Sequence, residues 1–342
     1  MIVVMNDLLK QLKLVLFCAI LSLSSCQNNN SHTYNPFDAH RFEKGIYHWK
    51  TTFNLSAADS AFVKDHNIQK LYIRMFDVDA EFDDHAQTWE AVPIATTVFN
   101  SSIAKGVKLI PTVYITLDAL KTSKGNMYHL AQNIVKRILN MCSYNELGQV
   151  NEIHLDCDWT KSTKEDFTYL CSMIRKVIAS KQLDIKLSGT IRLHQLEEAE
   201  YPFDSGVLMM YNTGAIKNNI TKNSILDYDD VYKYLSVNER IKKFIAAREN
   251  NCPVIDVAYP AYSWGVVFYN NYFSKLVSNP QDYVLQEGET IRIENSEIET
   301  ILKVKQLVDS KIGNVVRGNI IYHLDSNNLS KYSYDEIESI YN

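Results

Sequence analysis

The stretch Glu152-Ile153-His154-Leu155-Asp156-Cys157-Asp158-Trp159-Thr160 concentrates the groups most able to do chemistry. Side chains of a strand alternate between its two faces. This spacing therefore puts Ile153, Leu155, Cys157 and Trp159 on one face and Glu152, His154, Asp156 and Asp158 on the other. Two carboxylates on one face can hold a cation, position a substrate or exchange a proton. A buried polar row of this kind is costly unless every member is paired and hydrogen-bonded. Two further runs alternate in the same way. Tyr72, Arg74 and Phe76 oppose Ile73 and Met75, and Ser188, Thr190, Arg192 and His194 oppose Leu187, Ile191 and Leu193. If the apolar sets face outward, Arg74 and Arg192 point inward with Asp156 and Asp158. Nearby guanidiniums are expected to hold both carboxyls ionised, and so to disqualify either as a ready proton donor near neutral pH.

Such residues converge only if the strands that carry them surround a common axis. Eight β-branched or aromatic runs recur along the chain: Gly45 to Trp49, Lys70 to Phe76, Lys108 to Ile115, Glu152 to Trp159, Lys186 to Leu193, Gly206 to Tyr211, Val254 to Tyr259 and Asn319 to Leu324. Segments of helical period separate them. Ser56-Ala57-Ala58-Asp59 and Ser162-Thr163-Lys164-Glu165 each look like a capping box opening such a helix. Eight strands alternating with helices predict an α/β fold, a closed parallel (β/α)8 TIM barrel, over residues 41–342. The segment 267–294 is too long for a loop after the seventh strand. With strand-like Tyr283 to Leu285 and Thr290 to Ile293, it reads as a small insertion on the rim. Active sites of this architecture form at the C-terminal strand ends, where Asp156 and Asp158 fall.

The N-terminus reads as an export signal over 1–25. Lys10 and Lys13 precede a short apolar run from Leu14 to Leu21, then Leu23-Ser24-Ser25-Cys26. The run is too short to span a bilayer. Its ending resembles the lipobox of bacterial lipoproteins, which implies acylation of Cys26, a polar tether over 26–40, and attachment to a membrane of the cell envelope, the outer membrane being the expected one. The net charge of −5 and the absence of a basic run exclude nucleic acid as an expected partner. Cys142, Cys157, Cys171 and Cys252 show no metal-ligand spacing and read as small buried residues. No cofactor and no metal site is expected. His154 and Asp156 lie two apart on one face, but nothing completes a ligand set. Oligomeric state is not legible.

Leu155-Asp156-Cys157-Asp158-Trp159-Thr160 resembles the fourth-strand motif of glycoside hydrolase family 18, the chitinase-like barrels, which runs Asp-x-x-Asp-x-Asp-x-Glu. Asp156 and Asp158 match its second and third acids, and Ile153 replaces the first. Met209-Met210-Tyr211-Asn212 is similar to the family's Met-x-Tyr-Asp. Ala258 to Gly265 is similar to its Pro-x-Tyr-Gly segment. Gly318 to Asp325 resembles its last strand, with Tyr322 where a Trp floors the sugar site. The Asp-Cys-Asp-Trp-Thr run is also similar to lipoproteins of Bacteroides-type bacteria. The resemblance implies a carbohydrate ligand, with Asp156, Asp158 and Tyr211 in the catalytic positions. In the family, the Asp matching Asp158 positions the substrate's acetamido group and the Tyr matching Tyr211 hydrogen-bonds it. Trp49, Arg74, Arg192, His194, Asn212, Trp264 and Tyr322 are the expected substrate contacts.

The departure lies at Thr160, which occupies the place of the family's proton-donating Glu. A threonine hydroxyl is far too weak an acid for that work near pH 7. One reading is therefore a glycosidase-like enzyme with a displaced acid, for which Asp158, His194 and Asp77 are candidates. A second is a lipid-anchored glycan-binding protein without turnover, whose aromatics Trp49, Tyr211, Trp264 and Tyr322 stack on sugar rings. A third is a structural envelope protein. The density of charge at the strand ends favours chemistry over the others.

Overall fold

All eight β-branched runs form strands in the computed structural model, which describes residues 43–342 apart from 199, 217–222 and 251–253. They are β1 (Gly45–His48), β2 (Lys70–Asp83), β3 (Lys108–Ile115), β4 (Glu152–Asp156), β5 (Lys186–Ile191), β6 (Ser205–Met209), β7 (Val254–Pro260) and β8 (Val316–Tyr322). Each pairs in parallel with its sequence neighbours. The sheet closes because β1 pairs on both sides, Gly45 with Ile320 of β8 and Gly45 with Lys70 of β2. The architecture is the expected α/β TIM barrel. The described residues belong to one compact unit, Arg41–Asn342. Cys26, the export signal and the tether lie outside the described residues, as does Cys252. No helix among the described residues is long and apolar enough to cross a membrane.

Helices cover the barrel because each carries one apolar stripe. Helix Met127–Tyr144 buries Leu130, Ile134 and Ile138, and helix Lys164–Ser180 buries Phe167, Leu170 and Ile174. Each such side chain contributes about 1.5–3 kcal/mol by leaving water. Ile153 and Leu155 of β4 are fully buried, as the outward face of that strand requires. Between β5 and β6 the ring of Phe203 is admitted only because position 189 is glycine. A Cβ there would stand 2.6 Å from the ring.

The capping box at Ser56 forms, its side chain accepting from the Asp59 N–H and Asp59 reciprocating. The one expected at Ser162 does not form. Helix Lys164–Ser180 begins after Thr163, without a side-chain cap. The hydroxyls are spent on the preceding turn instead. Thr163 Oγ1 accepts from the Thr160 N–H at 2.9 Å, and Ser162 Oγ bonds Thr160 Oγ1 at 2.9 Å.

Two features depart from the expected β2. The strand runs on to Asp83 and returns antiparallel as Thr88–Ile94, a hairpin standing beyond the barrel. A register shift also lies between Arg74 and Phe76 opposite β3. A bulge adds one residue and so exchanges the two faces downstream of it. Phe76 accordingly does not share the lumen face with Arg74. It lies outside, under the guanidinium of Arg137 on helix Met127–Tyr144, 5.1 Å from its centroid. Asp77 turns toward Arg74 in its place.

The insertion is a three-stranded antiparallel sheet, Ser263–Tyr269 between Tyr272–Val277 and Glu289–Asn295. Its first turn is Asn270-Asn271, both with positive φ, the two-residue hairpin geometry that asparagine tolerates. Thr290 to Ile293 falls within the third strand, whereas Tyr283 to Leu285 is irregular.

At the N-terminal strand ends, the barrel floor, Asp256 accepts two hydrogen bonds from Arg317, with Lys70 Nζ at 3.7 Å. Lys70 also pairs with Glu43 at 3.0 Å, and Glu43 with Lys108. Burial pushes the Glu43 carboxyl up, but the two ammonium groups overcome it and hold it at about 2.

Candidate active site

Strand β4 stops at Asp156, yet the alternation continues past it. Cys157 and Trp159 are buried, and Trp159 stacks on Phe167 of helix Lys164–Ser180 at 6.2 Å between centroids. Asp158 turns the other way, into the mouth. The lumen beneath is filled by His154, fully buried, which bonds the Tyr47 hydroxyl at 2.9 Å and Ser188 Oγ at 2.8 Å. Both ring nitrogens are thus occupied by protein. Burial lowers the His154 imidazole to about 3, so it is neutral in the fold. Among the described residues no group of three or more His, Cys, Asp or Glu side chains could hold a metal ion.

Asp156 sits one layer above His154, accepting from Thr190 Oγ1 at 2.8 Å. The expectation that nearby guanidiniums would keep it low is overturned. Burial pushes the Asp156 carboxyl up to about 6 against the pull of Arg192, and the charge of Asp158 adds to the rise. The physical reason is full burial, which the guanidiniums do not offset, each being paired with another carboxylate. Arg192 donates to both oxygens of Asp158, from Nε at 2.5 Å and from Nη2 at 3.2 Å. Arg74 is paired just as fully with Asp77.

Aromatic rings join these two ion pairs. Arg192 lies over Tyr211, 5.8 Å from its centroid, and Arg74 over Trp49 at 5.5 Å. Tyr322 lies between, stacked on Tyr211 at 4.3 Å and 5.9 Å from Trp49. Tyr262 completes the row, edge-on to Tyr322 and to Trp264, each at 5.5 Å. Its hydroxyl donates to Asn212 Oδ1 at 2.6 Å. Asn212 has φ +53°, a left-handed conformation in which asparagine is at home, and this turns the chain directly after Tyr211. The buried Tyr211 hydroxyl meets no partner among the described residues. Trp264 is fixed through its indole N–H, which donates to Glu294 at 3.0 Å.

A cavity of about 350 Å³ opens beside this row, lined by Asp158, Arg192, His194, Tyr211, Asn212 and Tyr234 among others. Trp49, Trp264 and Tyr322 do not line it. Neither does Arg74, and Asp156 lies buried below. His194 is exposed on the 3-10 turn Leu193–Glu197 that replaces the end of the expected strand, and its Nε2 is 3.2 Å from the Trp159 carbonyl. Thr160 is exposed and its hydroxyl is turned to Ser162. Sequence reasoning missed Tyr47, Tyr234 and Tyr262. Tyr262 alone had a signal, lying inside the Ala258–Gly265 segment.

The fold is that of the chitinase-like barrels. A chitinase from Bacteroides thetaiotaomicron is 13% identical and aligns over 88% of this chain and 96% of its own, with a TM-score of 0.52. The spore cortex-lytic enzyme SleL of Bacillus cereus is 13% identical over 88% of this chain and 74% of its own, with a TM-score of 0.48. A glycoside hydrolase family 18 N-acetylglucosaminidase from Paenibacillus barengoltzii is 11% identical over 88% and 99%, with a TM-score of 0.45. At such identities the likeness is one of fold. No family model matches the chain, and no curated protein matches it in sequence.

Proposed function

We propose that this chain is a lipid-anchored, glycan-binding barrel that holds a saccharide at its C-terminal mouth and does not cleave it by the substrate-assisted route of the chitinase-like enzymes. The observation that carries this is the state of Asp158, whose two oxygens are both engaged by Arg192. A carboxylate so paired is not free to turn toward an acetamido group. Thr160, in the place of the donor, supplies a hydroxyl that cannot protonate a leaving group. His194 has its Nε2 at the Trp159 carbonyl and Asp77 is held by Arg74, so neither candidate substitute stands ready. What remains suits recognition. Tyr234, half-buried, offers a ring, buried Tyr211 forms part of the wall, and exposed Asn212 offers hydrogen bonds. Attachment through Cys26 rests on the Leu-Ser-Ser-Cys signal alone and would tether the chain to a membrane.

A second reading has one specific support. Asp156, pushed up to about 6, would carry a proton in mildly acidic conditions. Titration calorimetry and reducing-end assays with chitotetraose and with 4-nitrophenyl hexosides separate the two. Chitotetraose is the first probe because the fold is shared with a chitinase. Binding without product is expected, with Tyr211→Ala weakening it at least tenfold, about 1.4 kcal/mol. Product release by the wild type that rises below pH 6 and vanishes in Asp156→Asn would establish the enzymatic reading instead.

A further inference from the structure

Helix Met127–Tyr144 carries a second stripe beside the one it buries. Asn133, Lys136 or Arg137, Asn140 and Tyr144 follow one another at three or four residues and share a groove with Pro93 of the hairpin strand Thr88–Ile94. With Pro93 and Asn145 they line a groove of about 530 Å³ on the flank of the barrel. It shares no lining residue with the mouth cavity.

The charges here differ from the rest of the molecule. Among arginines whose side chains are described, Arg74, Arg175, Arg192, Arg240, Arg292 and Arg317 each pair with a carboxylate. Arg137 pairs with none among the described residues. It makes one hydrogen bond, from Nη2 to Thr96 Oγ1 at 2.8 Å, and is held in place over the ring of Phe76. Its buried Nε has no partner among the described residues. Lys136 beside it has no carboxylate partner among them either, and no acid lines the groove. In a chain of net charge −5, two uncompensated cations in one concave site select for an anion.

We infer that this groove binds a saccharide bearing an anionic group, a carboxylate, sulfate or phosphate. A fixed guanidinium with most of its donors open matches such a group in geometry as well as charge. The asparagine amides each offer donors and an acceptor, the pattern that neighbouring sugar hydroxyls require. Tyr144, 88% exposed, presents a ring for the apolar face of a sugar. The volume lies within the range of small-molecule sites.

The test is calorimetric titration of the full chain with tetragalacturonate, a sulfated tetrasaccharide, chitotetraose and inorganic phosphate. At least one of the acidic oligosaccharides should bind more weakly as salt rises. Arg137→Gln should lower that affinity tenfold or more, and Lys136→Gln several-fold. Lys136 is exposed, so its substitution remains informative if loss of the Arg137–Phe76 contact perturbs folding. Asn140→Ala should weaken the saccharide but leave phosphate unchanged. Tyr211→Ala, which removes a ring of the mouth, should leave this binding intact, so the two sites fail separately. Absence of binding by both acidic oligosaccharides would overturn the inference. So would an affinity indifferent to Arg137→Gln and Lys136→Gln. Phosphate binding as tight as the saccharide would leave only an anion site and overturn the saccharide assignment.

Discussion

The two ends of the barrel each hold a bidentate arginine–aspartate pair bridging adjacent strands, and the pairs have opposite consequences. At the floor, the Asp256 side chain is 2% exposed and its partner Arg317 comes from the next strand. At the mouth, the Asp158 side chain is 41% exposed and Arg192 follows the next strand. The bonding is the same and the surroundings are not. In a dry interior an unpaired charge is penalised heavily, so the floor pair is obligatory once either member is present. At the mouth, water can solvate whatever a substitution uncovers, so the pair there adds little to stability. Depth in the barrel, rather than the identity of the residues, separates a pair the fold depends on from one it can lose.

The contrast is broken most strongly by acid. Burial lowers His48 and His323, at the mouth ends of β1 and β8, to about 4, and His154 in the lumen to about 3. The unfolded chain takes up these protons near pH 6.5 and the fold does not. Stability therefore falls as pH drops below 6.5 and keeps falling toward 4 and 3, by roughly 2 kcal/mol per histidine between pH 8 and pH 5. Asp156 works in the other direction. Its folded value of about 6 exceeds the ordinary 3.8, so it contributes stability as pH falls through 6. That offsets roughly 1.4 kcal/mol of the loss at pH 5. The net expectation is a decline on the order of 4–5 kcal/mol, read from urea midpoints at pH 8 and pH 5. A flat profile would mean that the histidines are solvated rather than sealed.

Next in size is Asp256→Asn, which strands Arg317 at the floor. The expected loss is about 3 kcal/mol, the lower end for a broken buried pair. Arg317 keeps one third of its side chain in solvent, and Lys70 retains Glu43. Denaturant unfolding at pH 7 measures it, and a change below about 1 kcal/mol, the size of an exposed pair, would erase the distinction between the two ends. The smallest effect is expected from Asp158→Asn. It should cost less than about 1 kcal/mol of stability while changing saccharide affinity at the mouth. A large loss of stability with unaltered binding would make that pair structural too.

Most of the scaffold is legible in the residue pattern. Eight runs of β-branched and aromatic residues became eight strands because their side chains suit a pleated, half-buried surface and little else. The alternation through β4 also carried past the strand end, since burying Cys157 and Trp159 forces Asp158 the other way. Register was less secure where the chain adds a residue. The bulge between Arg74 and Phe76 reverses the faces beyond it, and nothing in the local pattern announces that step. The two capping-box patterns read alike, yet only Ser56 caps its helix, because Ser162 and Thr163 have a competing turn to close.

Chain order and side-chain period thus determined the barrel and the inward carboxylates, because those depend on residue type and spacing alone. What only the tertiary structure decided is the pairing. Asp158 takes Arg192, Asp77 takes Arg74, Asp156 is left to burial, and Arg137 is left without a carboxylate among the described residues. Partner choice among like charges turns on ångström distances and on access to water, and both arise only when remote strands close around one axis.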